Sequence, residues 1–213
     1  MPYGKGVSLD HLVYAVRDLD AGIASLERLI GVRATPGGKH TGRGTHNALL
    51  SLGTGTYLEI IAPDPEQPAP GHPRPFGLDT LRESRLVTWA VRVPDIERRV
   101  ANAIAAGYDP GPLVPMSRRL PEGGELTWRL TLPEKRAGDG LVPFLIEWGK
   151  GARHPSETAQ PGAMLLELEG EHPDPAGIQR LLDAVGVDLP LTESARPALT
   201  ATIEGPNGTV LLS

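Results

Sequence analysis

The chain has 213 residues, no cysteine and a formal net charge of −5, with 39% hydrophobic and only 4% aromatic residues. Such a length can bury a sizeable core as one large domain or two small ones. The acidic balance and the lack of a basic run argue against nucleic acid as a partner, and the missing thiols exclude disulfides, cysteine nucleophiles and cysteine-ligated zinc or iron–sulfur centres.

Residues 8–16 (Ser-Leu-Asp-His-Leu-Val-Tyr-Ala-Val) alternate as a half-buried strand does. Asp18 follows as a helix N-cap, because its carboxylate can accept from the free amides of the first turn. Leu19, Ile23, Leu26 and Leu29-Ile30 then fall at helical spacing, and Gly31 closes the helix as a left-handed cap. Val32 begins a short third element, and residues 37–44 read as a polar loop. Two β-rich runs come next, residues 44–52 (Gly-Thr-His-Asn-Ala-Leu-Leu-Ser-Leu) and 57–61 (Tyr-Leu-Glu-Ile-Ile), joined as a hairpin through Gly53-Thr54-Gly55-Thr56. With the turn centred on Thr54-Gly55, Leu50 lies opposite Glu59. Alternation then places His46, Ala48, Leu50, Tyr57, Glu59 and Ile61 on one face. An imidazole and a carboxylate on an otherwise apolar face is the composition of a lined cup.

The same order returns. Residues 86–93 (Leu-Val-Thr-Trp-Ala-Val-Arg-Val) make a strand, Asp95 takes the cap position, and Ile96, Val100 and Ile104 form a helical stripe that ends at Gly107. A hairpin follows from residues 125–132 and 142–148. The step from cap to cap, Asp18 to Asp95, nearly equals the step between the closing glycines, Gly31 to Gly107, and matching landmarks at one spacing mark an internal repeat. A third, degenerate copy begins with a strand at 163–168. Asp174 caps, Pro175 sits at the first helical position, and Gly186 ends the stripe Ile178, Leu181, Leu182 and Val185; a last hairpin surrounds Pro206-Asn207-Gly208.

These landmarks predict a first βαβββ module at 1–62, a Pro-rich linker at 63–84, a second module at 85–155 that pairs with the first, and a smaller third module at 156–213. The linker reads as a crossover between repeats or as a semi-rigid flap presenting Arg74 and Phe76. The third module is expected to pack on the first two or in a homodimer interface. The start of the chain carries no apolar core of signal-peptide length, and no stretch is long enough to span a bilayer, so a cytoplasmic location and no membrane partner are expected.

Several motifs carry a family resemblance: Leu9-Asp10-His11, Gly44-Thr45-His46-Asn47-Ala48-Leu49, Tyr57-Leu58-Glu59, Ser117-Arg118, Trp128-Arg129, Pro143-Phe144-Leu145-Ile146-Glu147-Trp148 and His154-Pro155. Together with the βαβββ repeat they resemble the glyoxalase-like-domain branch of the vicinal oxygen chelate (glyoxalase/bleomycin-resistance/dioxygenase) superfamily, over roughly residues 8–155. The resemblance implies an α+β fold in which paired βαβββ modules form a curved sheet cup, with a divalent metal (Zn, Mn, Fe or Ni) on its floor. Carried over residue by residue, the metal ligands are His11, Glu59 and Glu147. The remaining ligand position, reached from His11 by the step that separates the two caps, is Thr88, a poor divalent ligand.

Two roles are assigned beyond the metal. Glu147 and His46 are the candidate catalytic acid–base groups, His46 because its titration range suits proton transfer near neutrality. Arg118, Arg129 and Trp128 are the candidate substrate-binding residues, the arginines through bidentate contacts to an anion. Each has a plainer reading: a core histidine at 11, a surface histidine at 46, a metal-free cluster in which Glu59 or Glu147 pairs with Arg129, and a turn at His154-Pro155. A carboxylate among apolar strand residues is costly to bury unless paired or metal-bound, which singles out Glu59. The expected function is a metal-assisted lyase, isomerase or dioxygenase acting on a small oxygen-rich substrate. The alternative is a metal-free small-molecule or antibiotic-binding (sequestering) protein. Residues 37–41 resemble a phosphate loop only superficially, and Gly170 and Pro173 break the helix that a zinc motif at 169–172 would need.

Overall fold

The computed structural model describes residues 7–119, 125–133 and 136–213, and of residues 118 and 119 the backbone alone. The first module runs β1 (Ser8–Ala15), α1 (Leu19–Ile30), β2 (Thr35–His40), β3 (Thr45–Ser51) and β4 (Tyr57–Pro63). Asp18 accepts from the Ala21 amide, and Gly31 closes α1 at φ +88°. The second module runs β5 (Arg85–Arg92), α2 (Ile96–Ala105), β6 (Leu113–Arg119), β7 (Glu125–Thr131) and β8 (Phe144–Trp148). Asp95 caps α2 by accepting from the Arg98 amide. The first half of the run read as a polar loop at 37–44 belongs to β2, an edge strand tolerant of Gly37 and Gly38 because only one side is paired, and residues 41–44 form a turn.

Hydrogen bonding joins all eight strands in the order β2-β3-β4-β1-β5-β8-β7-β6. The first strands of the two modules meet antiparallel at the centre, which relates the halves by an approximate twofold axis. The sheet curls until its edge strands β2 and β6 approach one another, and its inner face is the expected cup.

Two β-bulges flank the axis. Leu9 pairs with Val91 and His11 with Ala90, so Asp10 is an extra residue; Val13 pairs with Thr88 and Tyr14 with Leu86, so Val87 is extra. Asp10 and Val87 stand at the same spacing as the helix caps Asp18 and Asp95. A bulge breaks strict alternation and re-aims a side chain. The paired bulges therefore make Asp10-His11 and Val87-Thr88 counterparts, one from each half.

The third part contains β9 (Met164–His172), α3 (Pro175–Val185), β10 (Leu191–Glu193), β11 (Ala198–Gly205) and β12 (Gly208–Leu212). Its element order repeats that of the modules, but its strands lie β10-β9-β11-β12. In the cup halves the first strand pairs with the last; here it lies between β10 and β11. Leu168, Leu199, Ala201, Ile203 and Leu212 of this sheet share one core with Leu26, Ile30, Ile96, Ile178 and Leu182 of the helices and with Leu12, Leu58 and Trp89 of the convex face. Each such leucine, taken fully out of water, contributes about 1.5–3 kcal/mol. Asn207 locks the layers together, its Nδ2 donating to the Arg28 carbonyl and its backbone amide to that of Ile30 at the end of α1. Among the described residues no helix is long and apolar enough to cross a membrane.

Residues 75–80 of the Pro-rich connection form a short 3-10 turn over the inner face. Phe76 sits there at φ +61°, its ring 5.8 Å from that of Phe144.

Candidate functional site

The register of the first hairpin decides which side chains enter the cup. Ser51 pairs with Tyr57 and Leu49 with Glu59, one residue away from the register expected from a turn centred on Thr54-Gly55. A one-residue slip turns every side chain of a strand to the other face. Thr45, Asn47 and Leu49 therefore line the cup with Tyr57, Glu59 and Ile61, while Ala48 and Leu50 enter the core behind the sheet. His46, paired with Ala62, goes with them to the outer face. The catalytic role expected of His46 placed it in the cup, where Asn47 stands instead.

His11 and Glu59 do meet. His11 Nε2 lies 3.7 Å from Glu59 Oε2, and the imidazole is held by contacts on three sides. Its Nδ1 donates to Asp10 Oδ1 at 2.7 Å, Tyr57 stacks on it at 4.7 Å, and Phe144 meets it edge-on at 5.4 Å. A carboxylate only accepts, so Asp10 fixes the proton on Nδ1 and leaves Nε2 turned toward Glu59 and the cup. Asp10 is itself fully buried. Its second oxygen accepts from Trp148 Nε1 at 2.9 Å and from His154 Nε2 at 3.0 Å. Burial alone would raise the Asp10 pKa, but the hydrogen bonds and charges of His11 and His154 outweigh it and hold the carboxyl well below the usual carboxylate range.

Glu59 has further neighbours on its other side. Asn47 Nδ2 donates to Glu59 Oε1 at 2.5 Å, and His40 Nε2 stands 3.8 Å from the same oxygen. His40 reaches the cup from β2, its Nδ1 2.9 Å from Thr45 Oγ1. Asp10, His154 and His40 were all missed as site residues. The first depends on a bulge that alternation hides, the second on a contact spanning 144 residues, and the third on an edge strand that reads as loop.

The other wall of the cup is apolar: Met116, Trp128, Leu130, Phe144, Ile146 and Trp148. Trp128 thus faces the cup, 5.5 Å from Trp148. Glu147 and Arg129 do not, because strand alternation sends them to the helix side between these residues. Glu147 accepts from the Ile96 amide at the N-terminus of α2 and from Arg129 at 2.5 Å, and Arg129 also binds Glu97. Glu147 is thereby a helix-terminal carboxylate in an ion pair, and both Glu147 and Arg129 lie outside the cup in which their metal, acid–base and substrate-binding roles were expected. The side chain of Arg118 lies outside the described residues.

The counterpart of Glu59 is a different residue. Val13 pairs with Glu59, and Ala90, its equivalent one repeat later, pairs with Phe144. Of the four places where the two halves could each offer two ligands, the first half fills its pair with His11 and Glu59 and the second with Thr88 and Phe144. A phenyl ring offers a divalent cation no lone pair, and a threonine hydroxyl is a weak donor. Among the described residues no three His, Cys, Asp or Glu side chains are placed to hold a metal ion. The donor set therefore does not fit the four-ligand centre implied by the resemblance.

Comparison with known proteins agrees with the fold. The glyoxalase-like domain family matches residues 9–186, so the chain belongs to that family, and the match extends past both cup modules through α3. A hypothetical protein from Staphylococcus aureus is similar in structure, with 15% identity and a TM-score of 0.63, covering 96% of this chain and 84% of its own; the likeness thus includes the third part of the fold. Methylmalonyl-CoA epimerase from Mycobacterium tuberculosis shows 21% identity and a TM-score of 0.45 over 70% of this chain and 91% of its own. A hypothetical protein from Bacillus halodurans C-125 shows 16% and 0.44 over 70% and 98%. No curated protein matches the sequence.

Proposed function

We propose that this glyoxalase-like protein binds a small molecule in the cup and moves a proton at a carbon beside an oxygen function, as an isomerase or lyase does, using His11 as the base. The observation that carries this reading is the 2.7 Å bond between Asp10 and His11 Nδ1, with Nε2 left beside Glu59. An imidazole whose tautomer is set from behind is prepared to accept a proton from a bound ligand. Glu59, 3.7 Å away, stabilises the imidazolium that results and can pass the proton on. The Asn47 amide and His40 lie beside Glu59 on the same wall. They hold the Glu59 carboxylate in place beside His11. The aromatic wall excludes water and raises the strength of each of these interactions.

The test is solvent deuterium exchange at the hydrogen-bearing carbon beside the keto group in a panel of small 2-oxo acids and hydroxyketones, followed by NMR. Exchange catalysed by the protein should fall by about 10²–10⁴-fold in His11→Ala. Equal rates for the two proteins would overturn the reading. The apolar second wall favours one alternative, binding without turnover. On that reading ligand uptake is tight, no exchange occurs, and His11→Ala leaves uptake intact.

A further inference from the structure

The two walls of the cup differ in kind. Every charged or imidazole side chain among its described lining residues comes from the first module, whereas the second contributes aliphatic, aromatic and thioether groups. Arg43 is among the first-module residues, and its guanidinium differs from the other arginines around the cup. Arg74 is tied to Asp79 and the Gly44 carbonyl, Arg92 to Ser8, and Arg129 to Glu147 and Glu97. Lys39 on the neighbouring strand pairs with Glu66. No described residue accepts a hydrogen bond from the Arg43 guanidinium or pairs with it, and Glu59 is not its partner.

The backbone holds Arg43 in place although its tip has no partner among the described residues. Gly42 and Gly44 on either side take φ of +77° and +64°, a conformation open to glycine at no steric cost. The Arg43 amide bonds the His40 carbonyl, and the Gly44 carbonyl accepts from both the Asp64 amide and Arg74 Nε, each at 2.9 Å. A half-buried cation with no partner among the described residues, anchored at an apolar hollow, is suited to hold an anion.

We infer that the cup selects an amphipathic small carboxylate, its anionic group on Arg43 and its apolar body on the wall of Trp128, Phe144 and Trp148. This deepens the proposed function and rests on the same cup. The ligand class is a small organic acid with an aromatic or branched aliphatic tail, and Arg43 is its specificity-determining residue.

The experiment compares 3-phenylpropionate with 3-phenylpropionamide, which share a body and differ in charge, by tryptophan fluorescence and calorimetry. The acid should bind at least about 10-fold more tightly than the amide, a tenfold ratio being ~1.4 kcal/mol. Arg43→Gln should bring the acid down to the affinity of the amide without changing the amide, and Lys39→Gln should change neither. Added salt should weaken the acid alone. Equal binding of acid and amide by the native protein, or equal loss of both in Arg43→Gln, overturns the assignment and leaves the His11 chemistry standing. Failure of both probes to bind overturns the cup reading together with its occupant. A preserved acid preference without deuterium exchange supports anion selection while refuting turnover.

Discussion

Glu59 and Phe144 occupy matching places in the two halves of the cup, the one paired with Val13 and the other with Ala90, the residue equivalent to Val13 in the second repeat. The duplication has therefore diverged into a polar wall and an apolar wall. The His11 ring lies between them, 3.7 Å from the carboxylate and 5.4 Å from the phenyl centroid.

The first prediction concerns metal. With Thr88 and Phe144 in place of ligands, protein purified without chelator should carry less than stoichiometric zinc, manganese, iron or nickel by elemental analysis. Its melting temperature should not shift on addition of EDTA. One tightly held ion per chain, lost together with stability in Glu59→Gln, would show that other donors complete the centre.

Glu147 separates structure from chemistry. Glu147→Gln gives up the charge opposite Arg129 and the carboxylate at the start of α2. Because Arg129 is 40% exposed, the pair is screened, and the cost should be about 1 kcal/mol in urea unfolding. Binding in the cup should be unchanged. A hundredfold loss of activity without loss of stability would return Glu147 to the site.

Gly37 makes room for the amide that holds Glu59. A Cβ there would stand 2.2 Å from Asn47 Oδ1, so Gly37→Ala must displace Asn47 or the edge strand. The expected loss is about 1–3 kcal/mol of stability, together with weaker ligand binding. Asn47→Ala should reproduce the binding defect with no clash to relieve. Wild-type stability in Gly37→Ala would mean that β2 shifts freely.

Asp10 predicts a pH dependence. Its folded pKa lies well below the ordinary 3.8, so the unfolded chain takes up the proton first as acid is added. The stabilisation is complete above about pH 5 and is lost progressively as the pH falls through 4 toward the folded value. Asp10→Asn should lower stability at neutral pH by about 1–3 kcal/mol, the cost of a weakened buried network. Its melting temperature should also fall less steeply than that of the native protein between pH 5 and 3. Parallel acid limbs would contradict the assignment.

Much of this architecture was legible because its signals are local. Asp18, Asp95 and Asp174 each cap a helix through hydrogen bonds within three residues, and Gly31 and Gly186 close two of those helices with positive φ. His11 and Glu59 could be read from the family pattern. What failed was parity. The first hairpin turns one residue differently from the Thr54-Gly55 reading, so Asn47 took the place assigned to His46. In the second hairpin, alternation puts Phe144, Ile146 and Trp148 in the cup and sends Glu147 outward. Bulges and registers are settled by pairing between distant segments, and no short window of sequence records them.

The proton position on His11 tests the central claim most directly. Long-range ¹H–¹⁵N correlation spectra of protein labelled at its six histidines, with His11 assigned through His11→Gln, resolve the two ring nitrogens. In the neutral ring, Nδ1 should carry the proton and Nε2 should be bare, and Asp10→Asn should mix the tautomers. A native His11 protonated on Nε2, and unaffected by Asp10→Asn, would contradict the account.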